Sequence, residues 1–277
     1  MKKVFIQGLG FVGSAMLAAV AQSKNKNGAP NYQVVGVDLD NPLGSSRVAS
    51  INEGKFPFPT SDERLIQTLS DCHRVGNIEA TTDAKRFDEA DIIVVDIPLD
   101  IPFLEQNPIL KFEKFEKAIR SLGSQVKKGT LIIIETTVPP GTCEKIVVPA
   151  LEEELKKRKM DISDLFIAHS YERVMPGKDY LASITDFWRV FAGYTEDSGN
   201  MCEEFLESII NTDDFPLTRL SSMTASESSK VLENTYRATN IAFIDEWTKF
   251  AEEIGIDLFE VIGAIKKRPT HSNIMMP

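Results

Sequence analysis

The fold is decided by the stretch GLGFVG, residues 8–13, which follows the short apolar run VFI (4–6) and opens a second apolar run. Three glycines, Gly8, Gly10 and Gly13, leave out side chains at three places: where a strand turns tightly into a helix, where the backbone approaches a pyrophosphate, and where the helix packs on the strand. The helix N-terminus then faces the phosphates. The pattern predicts the dinucleotide-binding turn of a Rossmann-type fold.

A carboxylate stands where such a site needs one for the ribose. The run QVVGVD (33–38) ends in Asp38, whose carboxylate would accept hydrogen bonds from ribose hydroxyls and repel a 2′-phosphate. We therefore predict NAD rather than NADP as the cofactor, bound by the three glycines together with Phe11, Val12 and Asp38. The alternative, glycines that serve only a tight strand-to-helix turn, stays open from the motif alone.

Strand patterns alternate with helical patterns through roughly the first two hundred residues. This alternation is typical of crossover units on a mostly parallel sheet. Two of the runs are apolar at consecutive positions, as central strands covered on both faces are. We predict an α/β fold with a doubly wound Rossmann-type sheet. The predicted strands are VFI (4–6), QVVGVD (33–38), DIIVVDI (91–97), TLIIIE (130–135), DLFIA (164–168) and WRVFAG (188–193).

A different pattern begins towards the end of the chain. One long helix is predicted, with Thr224 and Glu227 spaced as a capping box and Gly255 as its end. Apolar residues on more than one of its faces require more than one neighbour, as in a subunit interface. A shorter helix follows over 258–267. We predict a small all-helical region that forms a homodimer through the 224–254 helix.

Composition excludes several classes of protein. With 277 residues and 42% apolar content, the chain can bury a full core and form two domains, predicted at 1–220 and 221–277. A net charge of −10 argues against nucleic acid or an anionic membrane as a partner. Cys72, Cys143 and Cys202 are too scattered to predict a disulfide framework or a metal site. The N-terminus imitates a signal peptide, but glycines interrupt its apolar core, and no stretch is apolar enough to span a bilayer.

The run ETTVPPG (135–141) follows a strongly apolar predicted strand. Ligands of open α/β sheets bind beyond the carboxyl ends of the strands, so the hydroxyls of Thr136 and Thr137 are placed to meet a cofactor or substrate. A helix N-cap followed by a proline turn explains the same residues equally well. From the sequence alone, both interpretations stay open.

Two other clusters carry groups suited to acid–base chemistry. Glu172, in SYERVMPG (170–177), follows the next predicted strand, where partial burial would raise its pKa and suit it to act as a base. Lys230 and Asn234 share one face of the long helix and are suited to stabilise an oxyanion. The structural alternatives are a surface ion pair between Glu172 and Arg173, and an exposed Lys230 near a buried Asn234.

Taken together, these clusters resemble one family, the UDP-glucose/GDP-mannose dehydrogenases, which are NAD-dependent enzymes that oxidise a nucleotide sugar twice, from primary alcohol to carboxylate. The likeness covers nearly the whole chain. The form of YERVMPG is closer to that of relatives acting on N-acetylated hexosamines. The segments that carry the likeness are GLGFVG, INEGKFPF (51–58), TVPPGT (137–142), YERVMPG, KVLENTYRATNIAFIDE (230–246) and THSNIMMP (270–277).

The resemblance implies roles for individual residues. Thr137 and Glu172 would position and deprotonate the alcohol or the hydrolytic water, and Lys230 and Asn234 would stabilise the oxyanion. Asn273 would line the sugar pocket. The implied substrate is a UDP-hexose, with UDP-N-acetylhexosamines favoured. The residues implied to bind it are Glu172, Arg173, Lys230, Asn234 and Asn273.

The chain also departs from the family pattern. IPLD (97–100) stands where V-P-T-P is usual, Tyr171 replaces a proline, and Glu135 stands where many relatives have lysine or another residue. The family's nucleophilic cysteine would follow THSNIMMP. The sequence therefore predicts a truncated chain with little or no turnover, without that thiol and without the C-terminal domain that binds the nucleotide sugar. None of the three cysteines present is expected to replace it.

Two other functions fit part of the sequence. A complete β-hydroxyacid dehydrogenase would share the NAD-binding domain, a helical second domain and a Lys-x-x-x-Asn helix, but would not require NEGKFPF or YERVMPG. A non-catalytic NAD-binding subunit would pair through the 224–254 helix with a full-length partner. We expect the intact enzyme to be cytoplasmic and to supply a uronic acid donor for surface polysaccharide.

Overall fold

The computed structural model describes residues 1–99 and 111–277, together with the backbone of 103–104 and 107–108. The last residue of IPLD, Asp100, lies outside the described residues. The described chain divides into two compact units, Met1–Ser228 and Ser229–Pro277. Within the described part of the chain, no helix combines the length and the apolarity that a bilayer crossing requires.

The first unit is built on an eight-stranded sheet with the strand order β10-β9-β8-β7-β4-β1-β2-β3. Neighbouring strands are parallel except for β8 and β9, which are antiparallel. Strands β5 and β6 form a separate antiparallel ribbon. The strands are β1 (Lys2–Gln7), β2 (Tyr32–Val37), β3 (Ile78–Thr81), β4 (Ile92–Val95), β5 (Phe103–Leu104), β6 (Asn107–Pro108), β7 (Leu131–Ile134), β8 (Phe166–His169), β9 (Val190–Gly193) and β10 (Thr218–Arg219).

Helices cover both faces of this sheet. The α-helices of the first unit are α1 (Phe11–Ala21), α2 (Pro42–Asn52), α3 (Glu63–Val75), α4 (Glu113–Gly123), α5 (Val148–Lys157), α6 (Ala182–Thr185) and α7 (Glu196–Glu207). Helix α8 (Met223–Ile254) begins in the first unit, and α9 (Leu258–Ile265) lies in the second. Short 3-10 helices span Ala84–Glu89, Ile162–Asp164 and Pro269–His271, and a π-helical turn spans Cys143–Val147.

Two hydrophobic cores lie on opposite faces of the sheet, because successive residues of a strand point to opposite sides. One core packs against α1, α3, α6 and α7, and the other packs against α4 and α5. Strands β4 and β7 are buried at every position, as their unbroken apolar runs predict. The prediction of a doubly wound sheet followed by a helical region is confirmed.

Two short strands of the eight-stranded sheet, β3 and β10, are not predicted by the sequence analysis. Strand β3 has the sequence IEAT and β10 is the exposed pair Thr218–Arg219, so neither contains an apolar run. They pair only because β2 and β9 offer unpaired neighbouring edges. In both cases the tertiary context, rather than the local pattern, decides the structure.

The long helix ends at Gly255 in the left-handed conformation (φ 72°), as predicted. Its predicted capping box is wrong. The hydroxyl of Ser222, not Thr224, accepts the backbone N–H of Ala225 at 3.1 Å. The carboxylate of Glu227 is used elsewhere, as described below.

The second unit has a small core of its own, formed by Ile244, Ala251, Leu258 and Ile262. Asp257 caps α9 by accepting the backbone N–H of Phe259 at 2.8 Å. Several large apolar side chains of α8 stay exposed. They are Leu232, Tyr236, Ile241, Phe243, Phe250 and Ile254.

Candidate cofactor site and active site

The three glycines of the first turn meet different demands. A Cβ atom on Gly13 would lie 1.9 Å from the carbonyl oxygen of Gly8, so this glycine permits close packing of α1 on β1. Gly8 has φ +98°, and a Cβ atom there would lie 2.6 Å from the carbonyl oxygen of Asp96. Gly10 has an ordinary φ of −70°, and no heavy atom of the described chain lies within 4 Å of its hypothetical Cβ. The space beside Gly10 is therefore open.

Helix α1 begins at this open space. Gly10 is its N-cap, and no described side chain caps its first amides; its first turn also contains no acidic residue. The first N–H groups of a helix have no partner inside the helix, and they carry the positive end of its dipole. The open space and the uncapped helix together fit the pyrophosphate of a dinucleotide.

Asp38 follows β2 at the same edge of the sheet, beside the glycine turn. One carboxylate oxygen accepts the backbone N–H of Leu39 at 2.7 Å, and the other pairs with the guanidinium of Arg47 at 3.2 Å. The Nε atom of Arg47 is buried and has no acceptor among the described residues. Asp38 thus lies at the end of β2, as predicted for the ribose carboxylate. Arg47, its ion-pair partner, was not predicted from the sequence.

An aromatic group packs beside the glycine turn and includes the NEGKFPF segment. The ring of Phe11 is half exposed and stacks on Phe58 with 4.2 Å between ring centroids. Phe56 contacts both Phe58 and Tyr180, and the hydroxyl of Tyr180 donates to the carbonyl oxygen of Phe11 at 2.7 Å. The guanidinium of Arg47 lies 5.4 Å from the centre of the Phe58 ring. The segment therefore packs beside the glycine turn.

The two threonines after β7 differ sharply. Thr136 is buried, and its hydroxyl lies 3.1 Å from the carbonyl oxygen of Val95 and 2.8 Å from that of Ile97, to which it donates. Thr137 is exposed at the carboxyl edge of the sheet. Thr136 therefore fixes the strand ends, whereas Thr137 is placed to meet a ligand.

Glu227 anchors the loop that follows Thr137. Its carboxylate, fully buried, accepts the backbone N–H of Gly141 at 2.5 Å and that of Cys143 at 2.7 Å. It thereby caps the helical segment that begins at Cys143, so an N-cap exists here but is supplied from α8. From the sequence, the spacing of Thr224 and Glu227 predicts a capping box instead, and nothing in it indicates this distant contact.

Glu172 follows β8, the neighbour of β7, and is partly buried. Its carboxylate accepts the backbone N–H of Val174. Arg173 donates to the carbonyl oxygen of Trp188 at 2.7 Å and to the hydroxyl of Tyr171 at 3.0 Å. The buried Tyr171, which replaces the family's proline, is thus a packing partner of Arg173. Thr137 and Glu172 follow adjacent strands, as their predicted roles require.

A group of buried charges lies beneath this edge. Arg189 donates to the Oε1 atom of Glu135, and both residues are almost completely buried. Burial, and then the charge of Glu135, raise the pKa of Asp96 well above its usual range. Burial also raises the pKa of Glu135, although Arg189 opposes that shift. Burial lowers the pKa of His169, at the end of β8, to about 3, so it is neutral.

The three cysteines are buried, and their thiols stay protonated. Burial raises the pKa of Cys72 to about 11 and that of Cys202 to about 12. Burial, with the nearby charge of Glu227, raises the pKa of Cys143 well above its usual value. A nucleophilic thiol needs a lowered pKa and access to the substrate, so none of the three has the properties of a catalytic thiol.

The remaining predicted residues lie in the second unit. Lys230 is buried and Asn234 is exposed one helical turn later, the reverse of the structural alternative weighed above. Asn273 is exposed in the terminal segment. These three residues thus belong to a compact unit separate from the one that contains Thr137 and Glu172.

The chain was also compared with known proteins. Residues 2–210 match the NAD binding domain of the UDP-glucose/GDP-mannose dehydrogenase family, and residues 224–277 match the central domain of that family. The first match confirms the prediction of an NAD-binding domain. Both matches favour this family over the β-hydroxyacid dehydrogenases, which were the main alternative.

Individual relatives agree with these matches. The UDP-N-acetyl-D-mannosamine dehydrogenase of Methanocaldococcus jannaschii is 30% identical over 276 residues, covering 100% of this chain and 57% of the relative. The enzyme of the same name from Campylobacter jejuni is 28% identical, covering 99% of this chain and 63% of the relative.

Solved structures show the same likeness. The NDP-N-acetyl-D-galactosaminuronic acid dehydrogenase of Methanosarcina mazei has a TM-score of 0.78 at 27% identity, covering 96% of this chain and 54% of that chain. The UDP-D-ManNAc dehydrogenase of Pyrococcus horikoshii has a TM-score of 0.79 at 25% identity, covering 96% and 58%. This chain thus spans a little over half the length of these relatives. With both family models matched in order along it, the chain belongs to the UDP-glucose/GDP-mannose dehydrogenase family.

Proposed function

We propose that the first unit binds NAD across the glycine turn. The observation that carries this proposal is the open space beside Gly10 at the uncapped start of α1, in a motif whose other two glycines are required by packing. Asp38 would accept the ribose hydroxyls, and Arg47 would hold Asp38 in place and lie along the adenosine. Phe11 and Val12 would complete the turn around the pyrophosphate.

The residues beyond β7 and β8 would act on the sugar alcohol. NAD, when bound, supplies the hydride acceptor. The hydroxyl of Thr137 is exposed and is placed to orient the alcohol, or later a water molecule. Glu172 has a carboxylate on the adjacent strand end and would take the proton that leaves the hydroxyl. Burial of Glu227 beneath the loop keeps Thr137 at this edge.

The substrate class follows from the relatives. The named relatives act on UDP-N-acetyl-D-mannosamine or on a related N-acetylated nucleotide sugar. We infer that the whole protein oxidises a UDP-N-acetylhexosamine to its uronic acid with two equivalents of NAD. Lys230 and Asn234 would stabilise the oxyanion, and Asn273, Arg173 and Glu172 would bind the sugar.

The helical unit would join two copies of the chain. We infer that residues 221–277 form the dimerisation region and that 1–220 forms the NAD-binding domain. The support is the row of exposed apolar side chains on α8 within 224–254, among them Tyr236, Phe243 and Phe250. A contiguous row of exposed apolar side chains is typical of an interaction surface. Sedimentation of the protein would show a dimer that Tyr236→Glu weakens.

NAD binding is tested by calorimetric titration of the protein with NAD and with NADP. We expect binding of NAD, weaker binding of NADP, and a loss of NAD affinity of at least about 10-fold in Gly10→Ala, since a methyl group there fills the space for the pyrophosphate. Because that space is open, the midpoint of urea unfolding should not fall in Gly10→Ala. The control is Gly263→Ala, a helical glycine in equally open surroundings. Unchanged NAD affinity in Gly10→Ala would contradict the proposal.

A further inference from the structure

One departure from the family pattern, Glu135, lies next to Asp96, the residue that immediately precedes another departure, IPLD (97–100). Val95 and Ile134 are register partners at the ends of the parallel strands β4 and β7. The residues that follow them, Asp96 and Glu135, therefore lie side by side, with their backbones about 5 Å apart. Strand alternation places both side chains on the face that carries Val94 and Ile133. The carboxyl group of Asp96 therefore lies beside that of Glu135.

These two carboxyl groups lack donors for two of their oxygens. The Oδ2 atom of Asp96 and the Oε2 atom of Glu135 are both inaccessible to solvent, and no donor of the described residues reaches them. The other oxygen of Glu135 accepts from Arg189. An unpaired buried carboxylate oxygen costs free energy, and two adjacent carboxylates repel each other. A single proton placed between them removes both costs.

The charges around the two carboxyl groups also favour one proton on the pair. Arg189 carries one positive charge, whereas ionised Asp96 and Glu135 carry two negative charges, and Glu172 adds a third from beyond β8. His169, from β8, is neutral, and Gln7, at the end of β1, carries no charge. One proton on the carboxyl pair makes the group of Arg189, Glu135 and Asp96 electrically neutral.

We propose that Asp96 and Glu135 share one proton, and that this proton keeps the floor of the cofactor cleft neutral so that an anionic dinucleotide can bind above it. The position of Asp96 supports the second part. Its Cβ atom lies 3.2 Å from the hypothetical Cβ of Gly13, and its backbone lies against Gly8. Asp96 as a whole is partly exposed, so the proton can exchange with solvent.

The link to cofactor affinity rests on the proposed binding of NAD. Bound diphosphate would make loss of the shared proton harder, so NAD affinity is full below the pKa of the pair in the free protein. Affinity falls as the pH rises through that value, because the second carboxylate then places an extra negative charge beneath the diphosphate. Each unit by which NAD raises the pKa of the pair corresponds to about a 10-fold loss of affinity.

The shared proton itself is tested without any cofactor. Infrared difference spectra of the unliganded protein at low and high pH should show a protonated carboxyl C=O band that disappears at a pH above the range of ordinary carboxyl groups. The band should be absent in Asp96→Asn and in Glu135→Gln, and present in Asp88→Asn, which removes an exposed acid of the same unit. A wild-type spectrum in which all carboxyl bands disappear below about pH 5 would overturn the proposal.

The consequence for binding is tested by titrating NAD from about pH 5 to about pH 9. Wild type and Asp88→Asn should lose about 10-fold or more in affinity across this range. Asp96→Asn should stay flat, because its amide donates to Glu135 and does not titrate. An equally steep loss in Asp96→Asn would overturn the proposed neutral floor. Absence of NAD binding at every pH would refute the proposed function instead, and the infrared result would still decide whether the proton is shared.

Discussion

The two sides of the cofactor cleft are built in opposite ways. On the β1 and β2 side, side chains are left out: Gly8 and Gly13 allow close packing, and Gly10 faces open space. On the β4, β7 and β9 side, the floor is made of charged side chains: Glu135 and Arg189, which are buried together, and the partly buried Asp96. The first side depends on steric space, whereas the second depends on charge balance.

The largest change is expected on the charged side. Arg189→Met should cost about 3–5 kcal/mol in the free energy of unfolding, because it leaves Glu135 buried without its cation. Urea unfolding monitored by circular dichroism measures this loss. The double variant Arg189→Met/Glu135→Gln should recover much of it, since the uncompensated charge is then gone. A double variant as unstable as Arg189→Met would mean that packing, not charge, sets the stability of this side.

On the steric side, two glycines of one motif are expected to respond differently to substitution by alanine. Gly13→Ala should cost about 3 kcal/mol or more, because a methyl group 1.9 Å from the carbonyl oxygen of Gly8 forces α1 away from β1. Gly10→Ala should leave the free energy of unfolding within about 0.5 kcal/mol of wild type while it lowers NAD affinity at least about 10-fold. Chemical unfolding of both variants separates the two roles. Equal stability losses would remove the distinction between a packing glycine and a ligand glycine.

A smaller effect is expected on the charged side, in the loop after Thr137 that Glu227 holds. Glu227→Gln should cost about 1–3 kcal/mol, because an amide can accept only one of the two backbone N–H groups and leaves the other unsatisfied. Amide hydrogen exchange should become faster at Gly141 and Cys143. The neighbouring exposed variant Glu144→Gln serves as the control. Unchanged exchange at both amides would show that the loop is held by other contacts.

The fold was predictable because its decisive signals are local. The spacing of Gly8, Gly10 and Gly13, and the buried runs of β4 and β7, need no knowledge of distant partners. Strands β3 and β10 were missed because their pairing depends on neighbouring edges rather than on their own residues.

The site was predictable only in part, for the same reason. Asp38, Thr137 and Glu172 can be proposed from their positions after strands alone. The partners that fix the site come from distant elements: Glu227 reaches a loop more than eighty residues earlier, and Arg189 pairs with Glu135 across fifty-four residues. Contacts of this kind leave no periodic pattern. Glu227 was therefore assigned to a capping box, and Glu135 remained an unexplained departure.

The burial of all three cysteines has a practical consequence for handling this protein. A thiol that is shielded and protonated reacts with a maleimide only when the surrounding structure opens. The rate of labelling at Cys72, Cys143 and Cys202 therefore reports three separate local openings of the native state. Because the three native thiols react so slowly, a dye would label a newly introduced surface cysteine alone.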